Sequence, residues 1–314
     1  MPDPSSTGAP TAPPADASPD ASGEGASFVA GLLRDLRAGG YRPRAWWRFF
    51  TRSWQRSRAT AHAHPRLVRD WAVTSAAMWG GALAVLAVER RAADHAARAR
   101  RAAPWVALGL AAHTADVYAH LGMNAATRGG VIYDTLGVGT KLTMIRQAVA
   151  TLLWGHFWSG AKPSRPALAA ALAVAGASDL ADGAIARLTR HTTHLGAYLD
   201  GMADLSVSLA LALTLRRQRL IAHWFLVALA GRWLLPLGGA LYHYFVRARP
   251  VPLRALAWGK AAGAAQHAAL ALALAPDGGS RGIAHARRVG QALAAACLVM
   301  APLAHLRAVR HRGD

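Results

Sequence analysis

The chain has 314 residues, of which 53% are hydrophobic and only 17% are charged, whereas soluble domains are usually about a quarter charged. Its net charge of +20 favours a polyanionic partner such as a nucleic acid, an anionic bilayer or a phosphorylated substrate. The arginines lie between long apolar blocks rather than on one module, so we expect a bilayer and a phosphate-bearing substrate, and no nucleic acid. The single cysteine, Cys297, excludes an intrachain disulfide.

The first segment of the chain is predicted to lack stable structure. Residues 1–27 are rich in Pro, Ala, Ser, Gly and Asp. Such a segment buries too little apolar surface to offset the entropy lost on ordering. We therefore interpret it as a disordered N-terminal tail.

Residues 28–70 form a basic amphipathic region with a helical repeat. Four arginines recur every four residues and share one arc of a helix: Arg44, Arg48, Arg52 and Arg56. Five aromatic residues fall on the opposite arc: Trp46, Trp47, Phe49, Phe50 and Trp54. A basic face opposite an aromatic face is typical of a helix lying in the bilayer interface. An amphipathic helix packed on protein is the alternative.

Eight apolar blocks follow, and several approach the roughly 20 residues needed to cross about 30 Å of hydrocarbon. The blocks span residues 71–88, 103–121, 142–160, 165–183, 196–215, 219–246, 259–276 and 288–306. Because lipid offers the backbone no hydrogen-bond partner, such blocks must be helices. The predicted fold class is all-α, a polytopic membrane helical bundle. Its N-terminal hydrophobic extension, residues 71–130, contains up to two extra transmembrane helices.

Polar residues interrupt the second apolar block. His113, Asp116 and His120 share one helical face. A metal site is one interpretation, because histidine is a common ligand. Polar ties to neighbouring helices are the favoured interpretation.

Acidic residues are concentrated between Asp179 and Asp204. This stretch reads D-L-A-D-G-A-I-A-R, then eight further residues, then G-A-Y-L-D-G-M-A-D. Asp179 and Asp182 share one helix face, and Asp200 and Asp204 share a face of the next helix. Two helices joined around residues 190–194 would bring the two pairs together.

Four carboxylates at membrane depth need compensation, because ionisable groups in lipid are costly and like charges raise one another's pKa. Divalent cations remove that conflict, and ligation by oxygen alone suits Mg²⁺, Mn²⁺ or Ca²⁺ rather than Zn²⁺. Two such ions can clamp a pyrophosphate. Beside the aspartates, Gly183, Ala186 and Gly196 leave room for a ligand near the backbone. Arg187 offers a planar fork of donors to a phosphate.

The complete pattern, D-x-x-D-G-x-x-A-R-x8-G-x-x-x-D-x-x-x-D, resembles the signature of CDP-alcohol phosphatidyltransferases at every fixed position. The resemblance implies six transmembrane helices within residues 131–314, a site on the cytoplasmic side, and two divalent metal ions, Mg²⁺ or Mn²⁺. The implied metal ligands are Asp179, Asp182, Asp200 and Asp204, and the implied catalytic general base is Asp204. The implied nucleotide-binding residues are Asp182, Gly183, Ala186, Arg187 and Gly196, with CMP as the leaving group.

Two further patches resemble the same family and concern the acceptor. Leu142-Thr143-x-x-Arg146 is similar to the L-T-x-x-R opening of the first core helix. Gly259-Lys260 with Gln266 is similar to the G-K-x-K-T-x-x-Q segment of phosphatidylglycerophosphate synthases, but Ala262 and Gly263 replace the second lysine and the threonine. That departure leaves the acceptor open. The candidate acceptor-binding residues are Arg190, Arg146, Arg232 and Lys260.

The resemblance implies CDP-diacylglycerol as donor in phospholipid biosynthesis, and glycerol 3-phosphate is the preferred acceptor. Inositol phosphate, serine or phosphatidylglycerol are alternative acceptors, and CDP-choline or CDP-ethanolamine with diacylglycerol is the opposite polarity. The Ala/Arg-rich composition favours a multi-pass protein of the plasma membrane, and family members are often homodimers. A transporter or an inactive scaffold is the competing hypothesis, but the acids lie in one two-helix motif rather than in two related halves.

Overall fold

The computed structural model describes residues 20–91, 93–127, 130–247, 257–276 and 281–310. Within these ranges the chain is an all-α bundle, which confirms the predicted fold class. The described helices are α1 (Asp20–Ala38), α2 (Pro43–Ala63), α3 (Pro65–Arg91), α4 (Ala93–Ala119), α5 (Gly137–Trp158), α6 (Arg165–Leu188), α7 (His194–Arg217), α8 (His223–Leu241), α9 (Ala257–Leu274) and α10 (Arg281–Arg310). A 3₁₀ turn (Leu121–Met123) follows α4, and a π-helical turn (Tyr242–Val246) follows α8.

The helices follow the predicted order along the chain. Helices α3 and α4 correspond to the two apolar blocks of the N-terminal extension, and α5 to α10 correspond to the six blocks of the predicted core, with ends that differ by a few residues. Residues 1–19 of the predicted disordered tail lie outside the described residues, and α1 begins at Asp20 within that tail. Among the described helices, four are long and apolar enough to cross a membrane: α3, α6, α7, and α8 with its π-helical turn.

The surface of α8 shows why this bundle belongs in lipid. Val227, Leu234 and Leu235 are 57%, 49% and 58% exposed, respectively. A helix that is apolar all round is either a buried core helix or a membrane span. Exposed apolar surface of this extent is unusual on a soluble monomer, so a lipid environment accounts for α8.

The core is organised around α5 and α7. One cluster of buried apolar side chains joins α5 through α10, and a second joins α3 and α4 to α5 and α7. Helix α5 packs against α4, α6 and α7, whereas α6 and α7 make little direct contact with each other. The relative position of α6 and α7 therefore depends on what α5 and the connecting segment impose.

Two glycines let the extension approach the core closely. A Cβ on Gly155 of α5 would lie 2.3 Å from Cγ2 of Val106, and a Cβ on Gly109 of α4 would lie 2.7 Å from Cγ2 of Thr151. Both distances are too short for any larger residue without movement of the backbone or the neighbouring side chain. Helices α4 and α5 thus pack as parts of one core, across the boundary between extension and predicted catalytic domain.

Helix α2 is the predicted amphipathic helix, and it begins with Pro43 in its first turn. Its aromatic residues divide between two environments. The rings of Trp46 and Phe49 pack against Phe245 at centroid distances of 5.3 and 6.2 Å. In contrast, Trp47 and Phe50 are 74% and 60% exposed. The sequence pattern did not separate these groups, because the partner Phe245 is distant in the chain.

Candidate active site

The four aspartates lie in the C-terminal half of α6 and the N-terminal half of α7. Helix α6 ends at Leu188, and α7 begins after Thr193, whose Oγ1 accepts a hydrogen bond of 2.9 Å from the backbone N–H of Gly196. This side-chain cap satisfies one of the free N–H groups of the first turn. The expected pair of helices, joined by a short connection, is therefore present.

All four carboxylates converge on one guanidinium group, that of Arg146 on α5. Arg146 Nη1 lies 2.7 Å from Oδ1 of Asp179 and 3.2 Å from Oδ1 of Asp204. Arg146 Nη2 donates to Oδ2 of Asp182 at 2.7 Å and also to Oδ1 of Asp200. The Arg146 side chain is only 1% exposed. An arginine predicted to bind the acceptor is thus located inside the aspartate cluster.

The charge of this cluster is not balanced by Arg146. One guanidinium group carries a single positive charge, whereas four ionised aspartates carry four negative charges. Buried or half-buried carboxylates in excess of their partners are destabilising. The arrangement therefore favours the addition of positive charge.

Three of the aspartates provide a donor set for a divalent cation. One carboxylate oxygen from each of Asp179, Asp200 and Asp204 lies within 4.8 Å of the others. Such oxygen ligands fit Mg²⁺ or Mn²⁺. Because Arg146 pairs with the same carboxylates, a cation and the guanidinium group would share them.

Asp182, the fourth predicted metal ligand, lies in a drier environment than the other three. Its side chain is 8% exposed, compared with 30–45% for the other aspartates. Oδ2 of Asp182 also accepts a hydrogen bond of 3.0 Å from Oγ1 of Thr143 on α5. Thr143 was not among the predicted site residues, although it belongs to the Leu142-Thr143 patch that could have identified it.

The small residues of the motif permit close packing against α5. A Cβ on Gly139 of α5 would lie 3.0 Å from the carbonyl oxygen of Asp182 and 3.1 Å from Cβ of Ala186. A Cβ on Gly196 would lie 3.1 Å from Oγ1 of Thr140. Ala186 and Gly196, predicted to make room for the nucleotide, are therefore located at helix contacts.

The guanidinium group of Arg187 lies over Gly183. A Cβ on Gly183 would be 3.1 Å from Nη1 of Arg187. Any larger residue at position 183 would therefore displace this guanidinium group. The Arg187 side chain is exposed, which leaves its donors accessible to a phosphate.

The other predicted acceptor-binding residues lie around the aspartate cluster at different places. Arg232 of α8 donates from Nη1 to Oε1 of Gln266 (2.5 Å) and from Nη2 to the carbonyl oxygen of Gly259 (3.2 Å). It is close enough to Asp204 for electrostatic attraction. Arg190 is exposed in the α6–α7 connection. Lys260 lies in α9, and its side chain falls outside the described residues.

A polar network fixes Arg232 in its position. Nε2 of Gln266 donates to Oγ of Ser208 on α7 at 2.8 Å, and Gln266 is almost fully buried. The guanidinium group of Arg232 also lies 4.6 Å from the ring centroid of Trp233. Gly263 leaves space beside it, because a Cβ there would lie 3.5 Å from Nη2 of Arg232. The network thus orients one cation between α7, α8 and α9.

The N-terminal extension contacts two of the three helices that form the site, α5 and α7. Asp70 of α3 accepts hydrogen bonds from the backbone N–H of Leu136 (2.9 Å) and from Nζ of Lys141 (2.6 Å), at the start of α5. Asp116 of α4 accepts a hydrogen bond of 3.1 Å from the hydroxyl of Tyr198 on α7. The Tyr198 contact agrees with the interpretation of the His113–His120 face as a set of polar ties.

The fold and site together define a membrane-embedded helical bundle with a carboxylate-rich centre. The family model described as CDP-alcohol phosphatidyltransferase matches residues 136–303, and the chain belongs to this family. No curated protein and no solved structure matches the chain. Members transfer a phosphoalcohol group from a CDP-alcohol, so the chain is a transferase of substituted phosphate groups. Helices α1 to α4 precede the matched region.

Proposed function

We propose that this chain transfers a phosphatidyl group from CDP-diacylglycerol to the hydroxyl of a polar acceptor, releasing CMP, in phospholipid biosynthesis. The observation that carries this proposal is the convergence of four aspartates from α6 and α7 on Arg146. Such a concentration of carboxylates from two consecutive helices suits the cation-assisted binding of a diphosphate. The family match supports the same reaction class.

The metal centre of the proposal uses Asp179, Asp182, Asp200 and Asp204 to hold two divalent ions, Mg²⁺ or Mn²⁺. Carboxylate oxygens are the ligands that such ions prefer, and three of these carboxylates lie within 4.8 Å of one another, which supports the proposal. When bound, the ions would stabilise negative charge on the diphosphate of the donor. Arg146 would hold the carboxylates together on the side of α5.

The reaction proposed for this site is a substitution at phosphorus. The acceptor oxygen forms a bond to the phosphorus that carries the lipid alcohol, and the bond between that phosphorus and the CMP oxygen breaks. Asp204 accepts the proton of the acceptor hydroxyl as general base. The accessible fork of Arg187, next to Gly183, would contact the phosphate of the nucleotide.

The acceptor in this proposal is glycerol 3-phosphate, and inositol phosphate is the alternative. Both carry a phosphate, for which Arg232 is the best-placed cation, because it is tethered by Gln266 and attracted towards Asp204. Arg190 and Lys260 stay further candidates for contact with the acceptor. Gly263 stands where the related segment has threonine, and it leaves room beside Arg232.

The placement proposed for the protein is a plasma membrane, with α2 in the interface. The exposed rings of Trp47 and Phe50 would enter the headgroup region, and the arginines of α2 would contact anionic lipids. A homodimer stays a prediction from the family resemblance.

The test of the proposed function is CMP release from CDP-diacylglycerol by the protein in membranes, with Mg²⁺ or Mn²⁺ and a panel of acceptors. Release should require glycerol 3-phosphate, or inositol phosphate, and should fall on the order of 100-fold or more in Asp204→Asn. The matched control is Asp35→Asn, which removes an exposed carboxylate paired with Arg52. Absence of release with every acceptor would reject CDP-diacylglycerol, and CDP-choline with diacylglycerol would be tested next.

A further inference from the structure

A short segment between the extension and α5 folds into a compact loop that we name the clasp (residues 124–127 and 130–135). The backbone N–H of Tyr133 donates to the carbonyl of Asn124 at 3.0 Å, and that of Ala126 donates to Val131 at 2.8 Å. The clasp precedes the region that matches the family, which begins at residue 136.

The clasp pairs with the connection between α6 and α7. The backbone N–H of Thr127 donates to the carbonyl of Thr192 at 3.0 Å, and that of His194 donates to the carbonyl of Ala125 at 3.2 Å. The hydroxyl oxygens of Thr127 and Thr192 lie 2.9 Å apart. Antiparallel backbone pairing thus fixes the segment that separates the two aspartate pairs.

Asn124 holds the clasp together from inside. It is 0% exposed, and its Nδ2 donates to the carbonyl oxygens of Tyr133 and Thr135, both at 2.9 Å. Its Oδ1 has no hydrogen-bond partner among the described residues, so the amino group alone makes these ties. Removal of Asn124 would leave the Tyr133 carbonyl without this donor and the Thr135 carbonyl with one donor fewer.

His191 extends this arrangement into the connection itself. Its ring stacks on Tyr133 at a centroid distance of 4.1 Å, and its Nε2 donates to the carbonyl oxygen of Thr135 at 3.1 Å. Burial lowers the pKa of His191 below its usual value. The carbonyl oxygen of Thr135 therefore accepts hydrogen bonds both from Asn124 and from His191 of the connection.

We infer that Asn124 is a positioning residue that sets the separation of the two aspartate pairs through the clasp. Helices α6 and α7 pack mainly on α5 and little on each other, so Arg146 on α5 and the connection together restrain Asp182 relative to Asp200. A loosened connection would let the carboxylates of α7 move away from those of α6. This inference rests on the proposed function, because it assigns the clasp to the metal centre proposed there.

The test measures Mn²⁺ binding to the detergent-solubilised full chain by electron paramagnetic resonance, together with the thermal unfolding temperature. In Asn124→Ala we expect Mn²⁺ affinity to fall on the order of tenfold, as for other residues that orient metal ligands. The matched control is Gln218→Ala. Gln218 also donates from its side-chain amide to a loop carbonyl, that of Pro163 (2.9 Å), but at the opposite end of α7. The Gln218→Ala variant should have a lower unfolding temperature but an unchanged Mn²⁺ affinity.

The outcomes separate this inference from the proposed function. Unchanged Mn²⁺ affinity in folded Asn124→Ala would overturn the inference while the metal centre stands. An equal loss in Gln218→Ala would overturn it too, because the effect would then be general destabilisation. Absence of Mn²⁺ binding in the unmodified protein would overturn the metal centre and the inference with it. If Asn124→Ala does not fold, Thr192→Val removes only the hydroxyl contact with Thr127, and a smaller affinity loss supports the inference, whereas no loss overturns it.

Discussion

Arg146 and Arg232 both lie within helices of the membrane bundle, but their partners differ in charge. Arg146 pairs with four aspartates. Arg232 donates to the neutral side chain of Gln266 and to the backbone carbonyl of Gly259. Among the described residues, every carboxylate that forms an ion pair does so with a residue other than Arg232.

This difference separates two roles for one residue type. The charge of Arg146 is more than compensated inside the protein, so its contribution is to hold carboxylates of two helices together. The direct partners of Arg232 fix the orientation of its guanidinium group, but they carry no negative charge to neutralise it. A cation at membrane depth normally faces a cavity or a partner, and an anionic group on the acceptor would supply that partner. The predictions below test this division, from the largest expected effect to the smallest.

Replacement of Arg146 should have the largest effect. Arg146→Met leaves four carboxylates without their shared counter-charge, which should destabilise the protein by about 3 kcal/mol. We expect CMP release to fall on the order of 100-fold or more, because the aspartates would separate. Thermal unfolding in detergent and CMP release measure the two effects.

Arg146→Lys is the matched variant for this prediction. Lysine keeps the positive charge but lacks the planar fork that contacts several carboxylates at once. It should recover part of the stability and little of the activity. Full activity in Arg146→Lys would mean that charge alone, and not the bridging geometry, organises the cluster.

Replacement of Arg232 should act on the acceptor alone. Arg232→Gln should raise the KM for glycerol 3-phosphate about 10- to 100-fold, the effect of losing one charge-assisted hydrogen bond. The KM for CDP-diacylglycerol should stay unchanged. Steady-state kinetics with each substrate varied in turn measure both values.

The control for this prediction is Arg247→Gln, which removes an exposed arginine beyond the π-helical turn. It should leave both KM values unchanged. An equal rise of both KM values in Arg232→Gln would show that the Gln266 network supports the whole site instead of binding the acceptor.

The sequence predicted the aspartate cluster because helical periodicity alone determines which side chains share a face. Asp179 and Asp182 had to lie together, and so did Asp200 and Asp204. The sequence did not predict that Arg146 pairs with all four aspartates. Which face of α5 meets α6 and α7 depends on close approach at Gly139, and a single helix pattern does not contain that information.

The clasp was also invisible in the sequence, for a different reason. Its backbone pairs involve only single bridges, Ala125 with Ile132 and Ala126 with Thr193. Such short pairing has no periodic apolar pattern to detect. Asn124 lies between the apolar block that ends at residue 121 and the block that begins at residue 142. Only its hydrogen bonds in the folded protein show that it holds the clasp together.

Divalent cations should stabilise the folded protein by binding to the aspartates around Arg146, and not through the Arg232–Gln266 network. A ligand that binds the folded state at about 100 times its Kd stabilises it by about 2.7 kcal/mol. We therefore expect Mg²⁺ to raise the unfolding temperature of the unmodified protein by several degrees, and EDTA to reverse this. Differential scanning fluorimetry with a thiol-independent dye measures the shift.

Two variants locate this stabilisation. Arg232→Gln should keep at least the full Mg²⁺ shift, because Arg232 makes its hydrogen bonds to Gln266 and Gly259 and its positive charge near Asp204 can only oppose cation binding. Asp200→Asn should lose most of it, because Asp200 is one of the three carboxylates within 4.8 Å of one another. A full shift in Asp200→Asn would place the Mg²⁺ site elsewhere in the chain.

The smallest expected effect concerns the space beside Arg232. A Cβ at Gly263 would lie 3.5 Å from Nη2 of Arg232, which is ordinary van der Waals contact, so Gly263→Ala should leave the acceptor KM nearly unchanged. Gly263→Thr adds two branches to that carbon and should turn the guanidinium group away from its present position. We expect a rise in the acceptor KM of about threefold, less than one lost hydrogen bond. An unchanged KM in Gly263→Thr would mean that the position of Arg232 is set by Gln266 alone, and the absence of threonine here would then have no bearing on the choice of acceptor.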